Sequence, residues 1–209
     1  MLALVSIIMG YIFGCIHGST IVGKLKKVNI KESGIKNAGA SNTTIVLGWK
    51  YGIIVALIDI GKGIIPVLFM KNWLNSYSLD ESTFYFLVFL TGAFVIIGHI
   101  FPVTMKFNGG KGTASMIGVV FAIDWKVGLI GFAALIMVTL ISDYIPIGVL
   151  AMYLCWVGLT YLFGYPPNAI LITIALTLLC IYKHLENWKR IQNKTETRIS
   201  SMLKIRRKT

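Results

Sequence analysis

The chain sets a lysine among glycines in Phe107-Asn108-Gly109-Gly110-Lys111-Gly112-Thr113, at the start of an apolar run. Glycines let main-chain N–H groups converge on an anion. A helix start adds further N–H groups and the positive end of a dipole, and a lysine adds a point charge for phosphate. Gly109, Gly110, Lys111, Gly112 and Thr113 therefore read either as a tight turn between helices or as a phosphate cradle. The stretch is not a Walker loop, which needs Gly where this chain has Met105 and Ser or Thr where it has Gly112.

A second small and polar stretch runs from Gly34 to Thr44. Its Asn, Ser and Thr side chains can cap the following helix. The same residues, Asn37, Gly39, Ala40, Ser41 and Asn42, also suit a second anion cradle. Near the C-terminus, His184, Asn187 and Arg190 share a broad helical face at about 100° per residue. Histidine moves a proton near neutral pH, and asparagine holds a hydroxyl or orients the ring. The competing reading is an amphipathic helix with Trp188 at the membrane interface and cations on anionic headgroups. Ser142, beside Asp143, is either a turn residue or a further hydroxyl contact. Asp59 and Lys62, at i, i+3 in an apolar run, read as a structural ion pair that steadies a nearby loop. His99 reads as a site-supporting histidine bonded to backbone, with Pro102 freeing a carbonyl for it.

The elements that must position these groups are membrane helices. Of 209 residues, 56% are hydrophobic and 13% charged, and mean hydropathy is +0.77. This is an all-α, polytopic integral membrane protein. A net charge of +12 would suggest nucleic acid in a soluble chain. Here the positive-inside rule accounts for it, and no nucleic-acid partner is expected. Cys15, Cys155 and Cys180 lie in apolar runs at no metal or disulfide spacing, so they say little about redox compartment; no cofactor is expected. The N-terminus lacks a basic leader and reads as a retained first span.

Apolar runs predict seven helices at about 2–23, 46–70, 83–104, 113–123, 127–142, 145–163 and 168–183. The fourth and fifth are short, and one broken or re-entrant element would also fit them. Sixteen of the 20 basic residues then share one side, Lys204, Arg206, Arg207 and Lys208 among them. That bias puts the N-terminus outside and the C-terminus in the cytoplasm. Residues 1–190 read as a single transmembrane domain, and 191–209 as a basic tail at the membrane surface. The glycine-lysine stretch, the Asn/Gly loop, Ser142 and His184/Asn187 all fall at that cytoplasmic face. A transporter would hold its polar site near the midplane. A one-sided cluster suits an enzyme that joins a cytosolic anionic substrate to a lipid-borne one.

The chain resembles the bacterial acyl-phosphate:glycerol-3-phosphate acyltransferases, the PlsY family, over essentially its whole length. The likeness rests on Asn37-Ala38-Gly39-Ala40-Ser41-Asn42, Asp59-Ile60-Gly61-Lys62-Gly63, Gly98-His99-Ile100-Phe101-Pro102 with Phe107 to Ser115, and His184-Leu185-Glu186-Asn187-Trp188-Lys189-Arg190 followed by Glu196. The resemblance implies seven transmembrane helices, a site facing the cytoplasm of a bacterial inner membrane, and no metal. It implies acyl transfer from acyl phosphate to the first hydroxyl of glycerol 3-phosphate, giving lysophosphatidic acid. The expected partners are those two substrates and membrane lipids.

In the mechanism this suggests, N–H groups of Asn37–Asn42 and Gly109–Gly112 cradle the donor phosphate, and Lys111 neutralises the departing one. Ser142, His184 and Asn187 place the acceptor hydroxyl, and either His184 or the leaving phosphate takes its proton. Three residues depart from the family pattern. Gly34-Ile35-Lys36-Asn37 stands where the family has Gly-Ser-Gly-Asn, and Ile45 stands where it has an arginine. These departures favour an alternative, a divergent paralogue that keeps the fold and binds lipid or a membrane partner.

Overall fold

In hydrocarbon every backbone N–H and C=O needs an internal partner, so an apolar chain of this kind folds as helices. The computed structural model describes residues 1–205, with side chains through Met202, and their regular structure is helical. Arg206, Arg207 and Lys208 of the expected basic tail, and the side chain of Lys204, lie outside that description. The chain divides into two compact units, Met1–Ile123 and Asp124–Thr209.

The first unit holds α1 (Leu2–Gly14), α2 (Gly18–Lys26), α3 (Ala40–Leu47), α4 (Trp49–Leu74), α5 (Glu81–Ile100) and α6 (Thr113–Ile123). Where the sequence predicts one helix over 2–23, there are two, broken at Cys15–His17. The reason lies in α4. The Lys62 ammonium donates to the Gly14 carbonyl at 2.8 Å and to the Ile16 carbonyl, and the Asp59 carboxylate accepts the Gly18 N–H at 3.2 Å. A cation thus sits on the negative end of α1 and an anion on the positive end of α2. Helix α4 also starts later than predicted, because Gly48 turns the chain with φ +88° between α3 and α4. Small residues let backbones approach closely: Gly10 and Gly14 of α1 abut Thr91 and Val95 of α5, and Gly63 of α4 abuts Gly118 of α6.

The second unit holds α7 (Trp125–Ser142), α8 (Ile145–Leu162), α9 (Pro167–Lys183), α10 (Leu185–Gln192) and α11 (Ile199–Ile205). The fourth and fifth predicted helices are therefore separate elements, with Asp124 capping α7 through the Lys126 N–H at 2.8 Å. The start of the tail is tied down. Ile199 N–H donates to the Asp143 carbonyl at 3.0 Å, and Met202 is buried.

Among the described residues, five segments are long and apolar enough to cross a membrane: Leu2–Lys26 across its break, Trp49–Leu74, Glu81–Met105, Trp125–Ser142 and Ile145–Leu162. The pair α9–α10, bent by 47°, makes a sixth if taken as one span. Helix α6, the remaining predicted span, has 11 residues, about 16 Å of rise against a core of about 30 Å.

Candidate active site

In the first unit the candidate groups form one connected patch around His99. The three ammonium protons of Lys62 face the Gly14 carbonyl, the Ile16 carbonyl and His99 Nδ1, the last at 2.8 Å. His99 Nδ1 must then accept, so the ring proton sits on Nε2. Asp59 lies 3.4 Å from the same ammonium, and both residues are buried. The expected Asp59–Lys62 pair is present, and what it steadies is the break between α1 and α2. The partner expected for His99 is corrected: its ring meets Lys62 rather than a carbonyl freed by Pro102.

His17, which the sequence reading passed over, completes this network. Its ring stacks on His99 with centroids 4.7 Å apart, and its Nε2 meets the His99 carbonyl at 3.0 Å. The available signal was the polar, glycine-flanked run Cys15-Ile16-His17-Gly18-Ser19 inside an apolar segment.

The His99 carbonyl also accepts the Gly110 N–H at 3.1 Å, and the Ile100 carbonyl accepts the Gly109 N–H at 3.0 Å. Both N–H groups are thereby engaged within the chain, which corrects their expected place as phosphate donors. What requires glycine at 110 is close approach. A Cβ there would run into His99 Nε2 and the Ala38 carbonyl. Gly110 therefore brings the two glycine-rich loops into contact. Beyond it Gly112 takes φ +84°, a left-handed value suited to glycine. Thr113 then begins α6, whose first N–H groups have no intrahelical partner. Lys111, half-buried, stands between the contact and the helix start.

The other loop is built on Asn42. Fully buried, it accepts the Ile35 N–H at 2.9 Å and donates to the carbonyls of Ile30, Ser33 and Asn37 at 2.8, 3.0 and 2.9 Å. Its side chain is thus the loop's internal brace. The helix-cap reading fails. The N-cap of α3 is Gly39, with no side-chain cap, while the Thr43 and Thr44 hydroxyls donate back to the Gly39 and Ala40 carbonyls. The first-turn N–H groups at Ala40, Ser41 and Asn42 are left without a side-chain acceptor. Lys36 adopts φ +53° at the position where the family pattern has glycine. Ile35 contributes through its N–H, so these two departures keep the loop's hydrogen bonding.

In the second unit the candidate groups are side chains rather than backbone. Helix α9 ends at His184, whose φ of −104° and ψ of 4° begin the bend into α10. The expected continuous helical face is therefore interrupted at its first member. The bend aims His184 Nδ1 at the Cys180 carbonyl, 2.8 Å away, with Cys180 Sγ at 3.5 Å. Nδ1 must carry the proton to donate there, so Nε2 holds the lone pair, the tautomer a general base needs. Asn187 and Arg190, one turn apart on α10, both reach Glu196. The Asn187 amide donates to Oε1 at 2.8 Å and Arg190 Nε to Oε2 at 2.6 Å. Glu196 thus fixes which way the buried Asn187 amide points. Ser142 donates its proton to the Val138 carbonyl at 2.6 Å and accepts from Tyr144 N–H at 3.3 Å. Its remaining capacity is to accept.

Known proteins match this arrangement along almost the entire chain. A family model described as glycerol-3-phosphate acyltransferase matches residues 4–194. The chain is 54% identical to glycerol-3-phosphate acyltransferase 1 of Oceanobacillus iheyensis, covering 93% of this chain and 94% of that one. It is 34% identical to the glycerol-3-phosphate acyltransferase of Aquifex aeolicus, covering 95% and 100%. A crystal structure of PlsY (YgiH), described as an integral membrane glycerol 3-phosphate acyltransferase in its glycerol 3-phosphate form, superposes with a TM-score of 0.84. That match is 34% identical and covers 94% of this chain and 95% of that one. The lysophosphatidic acid form of the same protein gives 0.82 at 34% identity, covering 94% of each chain. This chain is a multi-pass membrane protein, and it belongs to the glycerol-3-phosphate acyltransferase family.

Proposed function

We propose that this chain moves a fatty acyl group from an acyl phosphate to the sn-1 hydroxyl of glycerol 3-phosphate, at the cytoplasmic face of a bacterial plasma membrane. The products are lysophosphatidic acid and phosphate. The observation that carries this reading is the seat of Gly110 between His99 and Ala38. It joins two loops that each lead into a helix start, whose first N–H groups have no intrahelical partner, and such starts bind phosphate oxygens.

Residues 1–190 act in this reading as one catalytic domain. Counting α6 as a short crossing and α9–α10 as one span gives seven, with the N-terminus outside, as the lysine and arginine bias requires. The starts of α3 and α6, with Asn37, Gly39, Ala40, Ser41, Gly112 and Thr113, hold phosphate, while Asn42, Asp59, Lys62 and His99 keep that scaffold in shape. Lys111 neutralises charge on the departing phosphate. An acyl phosphate is already activated, so positioning and charge stabilisation suffice without a protein nucleophile. The acceptor oxygen bonds to the acyl carbon, the carbon–oxygen bond to phosphate breaks, and His184 Nε2 receives the hydroxyl proton. Asn187 and Ser142 place the hydroxyl, and Arg190 with Glu196 holds Asn187 in orientation.

The alternative of an inactive paralogue is not favoured by relatives of this similarity that bear an acyltransferase name. The test is phosphate release from palmitoyl phosphate by purified protein, with and without glycerol 3-phosphate. Release that depends on the acceptor is expected; none across several polyol phosphates would overturn the reading. Lys111→Ala is expected to lower turnover at saturating substrate, and unchanged turnover would remove Lys111 from the mechanism.

A further inference from the structure

A cleft of about 350 Å³ opens in the first unit between the C-terminal end of α2 and the 3-10 turn Val103–Met105. That volume lies within the roughly 300–1,000 Å³ of small-molecule sites. Lys24, Lys27 and Lys31 line it together with Thr20, Asn29 and Met105. No acidic residue lines it, and none of these side chains belongs to the patch around His99.

Two ordinary explanations for such lysines fail here. Basic residues at a helix C-terminus often bond its last carbonyls. Here the main chain does this itself. Val28 N–H bonds the Gly23 carbonyl at 2.9 Å and Lys27 N–H bonds the Lys24 carbonyl at 3.2 Å, around a left-handed Lys27 at φ +55°. Lysines are also held by carboxylates, yet among the described residues neither Lys24 nor Lys27 forms an ion pair. Lys26, on the same turn, differs from them in lying over the Tyr51 ring, 4.6 Å from its centroid. The Lys31 ammonium nitrogen, by contrast, is withdrawn from solvent at the cleft wall. Apolar residues adjoin the cations. Val28, Ile30 and Met105 form the apolar part of the lining, and outside the cleft Ile21 and Leu25 of α2 expose 41% and 77% of their surface.

We propose that this cleft is a second phosphate site, taking a phosphomonoester group presented either on a lipid or on a small soluble ester. Its ammonium groups supply point charges, Asn29 and Thr20 supply directional hydrogen bonds, and the apolar wall accepts the start of an acyl chain. The site lies outside the catalytic patch, so its occupancy is separable from turnover.

The test is equilibrium binding of radiolabelled lysophosphatidic acid to the full chain in phosphatidylcholine nanodiscs. Wild type is compared with Lys24→Gln/Lys27→Gln and with the triple variant that adds Lys31→Gln. Wild type is expected to show two classes of site, and the variants to bind at one class at least tenfold more weakly while the other is unchanged. Both residues of the double variant are exposed, so its thermal unfolding should match wild type and keeps the test valid if the triple variant misfolds. Competition by glycerol 3-phosphate or inorganic phosphate at the affected class would mark a soluble ester, and competition by unlabelled lysophosphatidic acid alone a lipid; either supports the site. A single class in wild type that the variants leave unchanged, or variants that bind like wild type at both, would overturn it. Because the readout is binding, failure of the acyltransferase reading would appear separately, as absent phosphate release.

Discussion

The two units hold their polar groups in opposite ways. In Met1–Ile123 charged side chains serve the backbone: Lys62 and Asp59 mend a broken helix, and His99 props a glycine loop whose N–H groups meet carbonyls. In Asp124–Thr209 fixed partners serve the side chains: the Cys180 carbonyl sets the His184 tautomer, and Glu196 aims Asn187 and Arg190. In the proposed reaction the first arrangement shapes main chain for gripping an anion, and the second presents a base. Damage to the first should therefore appear as lost stability and weaker binding, and damage to the second as a slower chemical step on an intact fold.

The sharpest way to break that contrast is His184→Gln. General-base catalysis contributes about 10²–10⁴-fold, so kcat is expected to fall by that factor, with thermal unfolding little changed. Steady-state kinetics beside a melting curve would check it, and a loss of folding without a kinetic effect would reverse the assignment. Lys62→Met should do the opposite. It strands Asp59 and two helix-end carbonyls in a buried site, where removing one partner of an ion pair costs about 3–5 kcal/mol. Thermal or denaturant unfolding in nanodiscs should show the loss directly.

A finer test compares two glycines. A Cβ at Gly110 meets the His99 ring and the Ala38 carbonyl, whereas at Gly158, in α8, nothing lies within 4 Å. Gly110→Ala is expected to destabilise by about 1–3 kcal/mol through overpacking and to raise KM for the phosphate-bearing substrate. Gly158→Ala should leave KM unchanged, and equal effects at the two positions would show that loop contact around Gly110 is unimportant.

Much of this was legible in the chain, for reasons that differ between residues. Hydropathy marked the five longer spans because each is an apolar run of 18 residues or more, and Asp59 with Lys62 stood out because charge in an apolar run demands a partner. The break at Cys15–His17 was hidden. Nothing local forbids helix there, and the groups that stabilise the break come from α4, more than 40 positions away in sequence. Asn42 was misread for a related reason. Its residue type fits a cap, an anion cradle and a loop brace alike, and only the fold supplies the three carbonyls that choose the brace. Likewise, no spacing rule predicts that the N–H groups of Gly109 and Gly110 fold back on Ile100 and His99.

The smallest expected effect lies at the turn after α7, where the second unit behaves like the first. Asp143 takes left-handed backbone at φ +64°, and its carboxylate accepts the Ser200 hydroxyl at 2.7 Å and the Ser200 N–H at 2.8 Å. The hydroxyl first, and then the N–H, hold this carboxyl below its ordinary value of 3.8. A lowered folded-state value means that the clasp contributes fully above the unfolded value and is lost as pH falls through the folded one. Near neutral pH its contribution is constant. Tryptic cleavage after the exposed Arg198 should therefore be faster in Asp143→Asn than in wild type at pH 7. Hydrogen exchange at Ser200–Met202 in wild type should rise only below pH 3.8, while in Asp143→Asn it should be raised already and lack that acid step. Equal cleavage in the two proteins would mean that burial of Met202 alone docks the tail. Ser142 adjoins Asp143 but donates to the Val138 carbonyl and accepts from the Tyr144 N–H. Turnover at neutral pH should consequently survive Asp143→Asn, which separates a side chain that anchors backbone from those proposed to meet substrate.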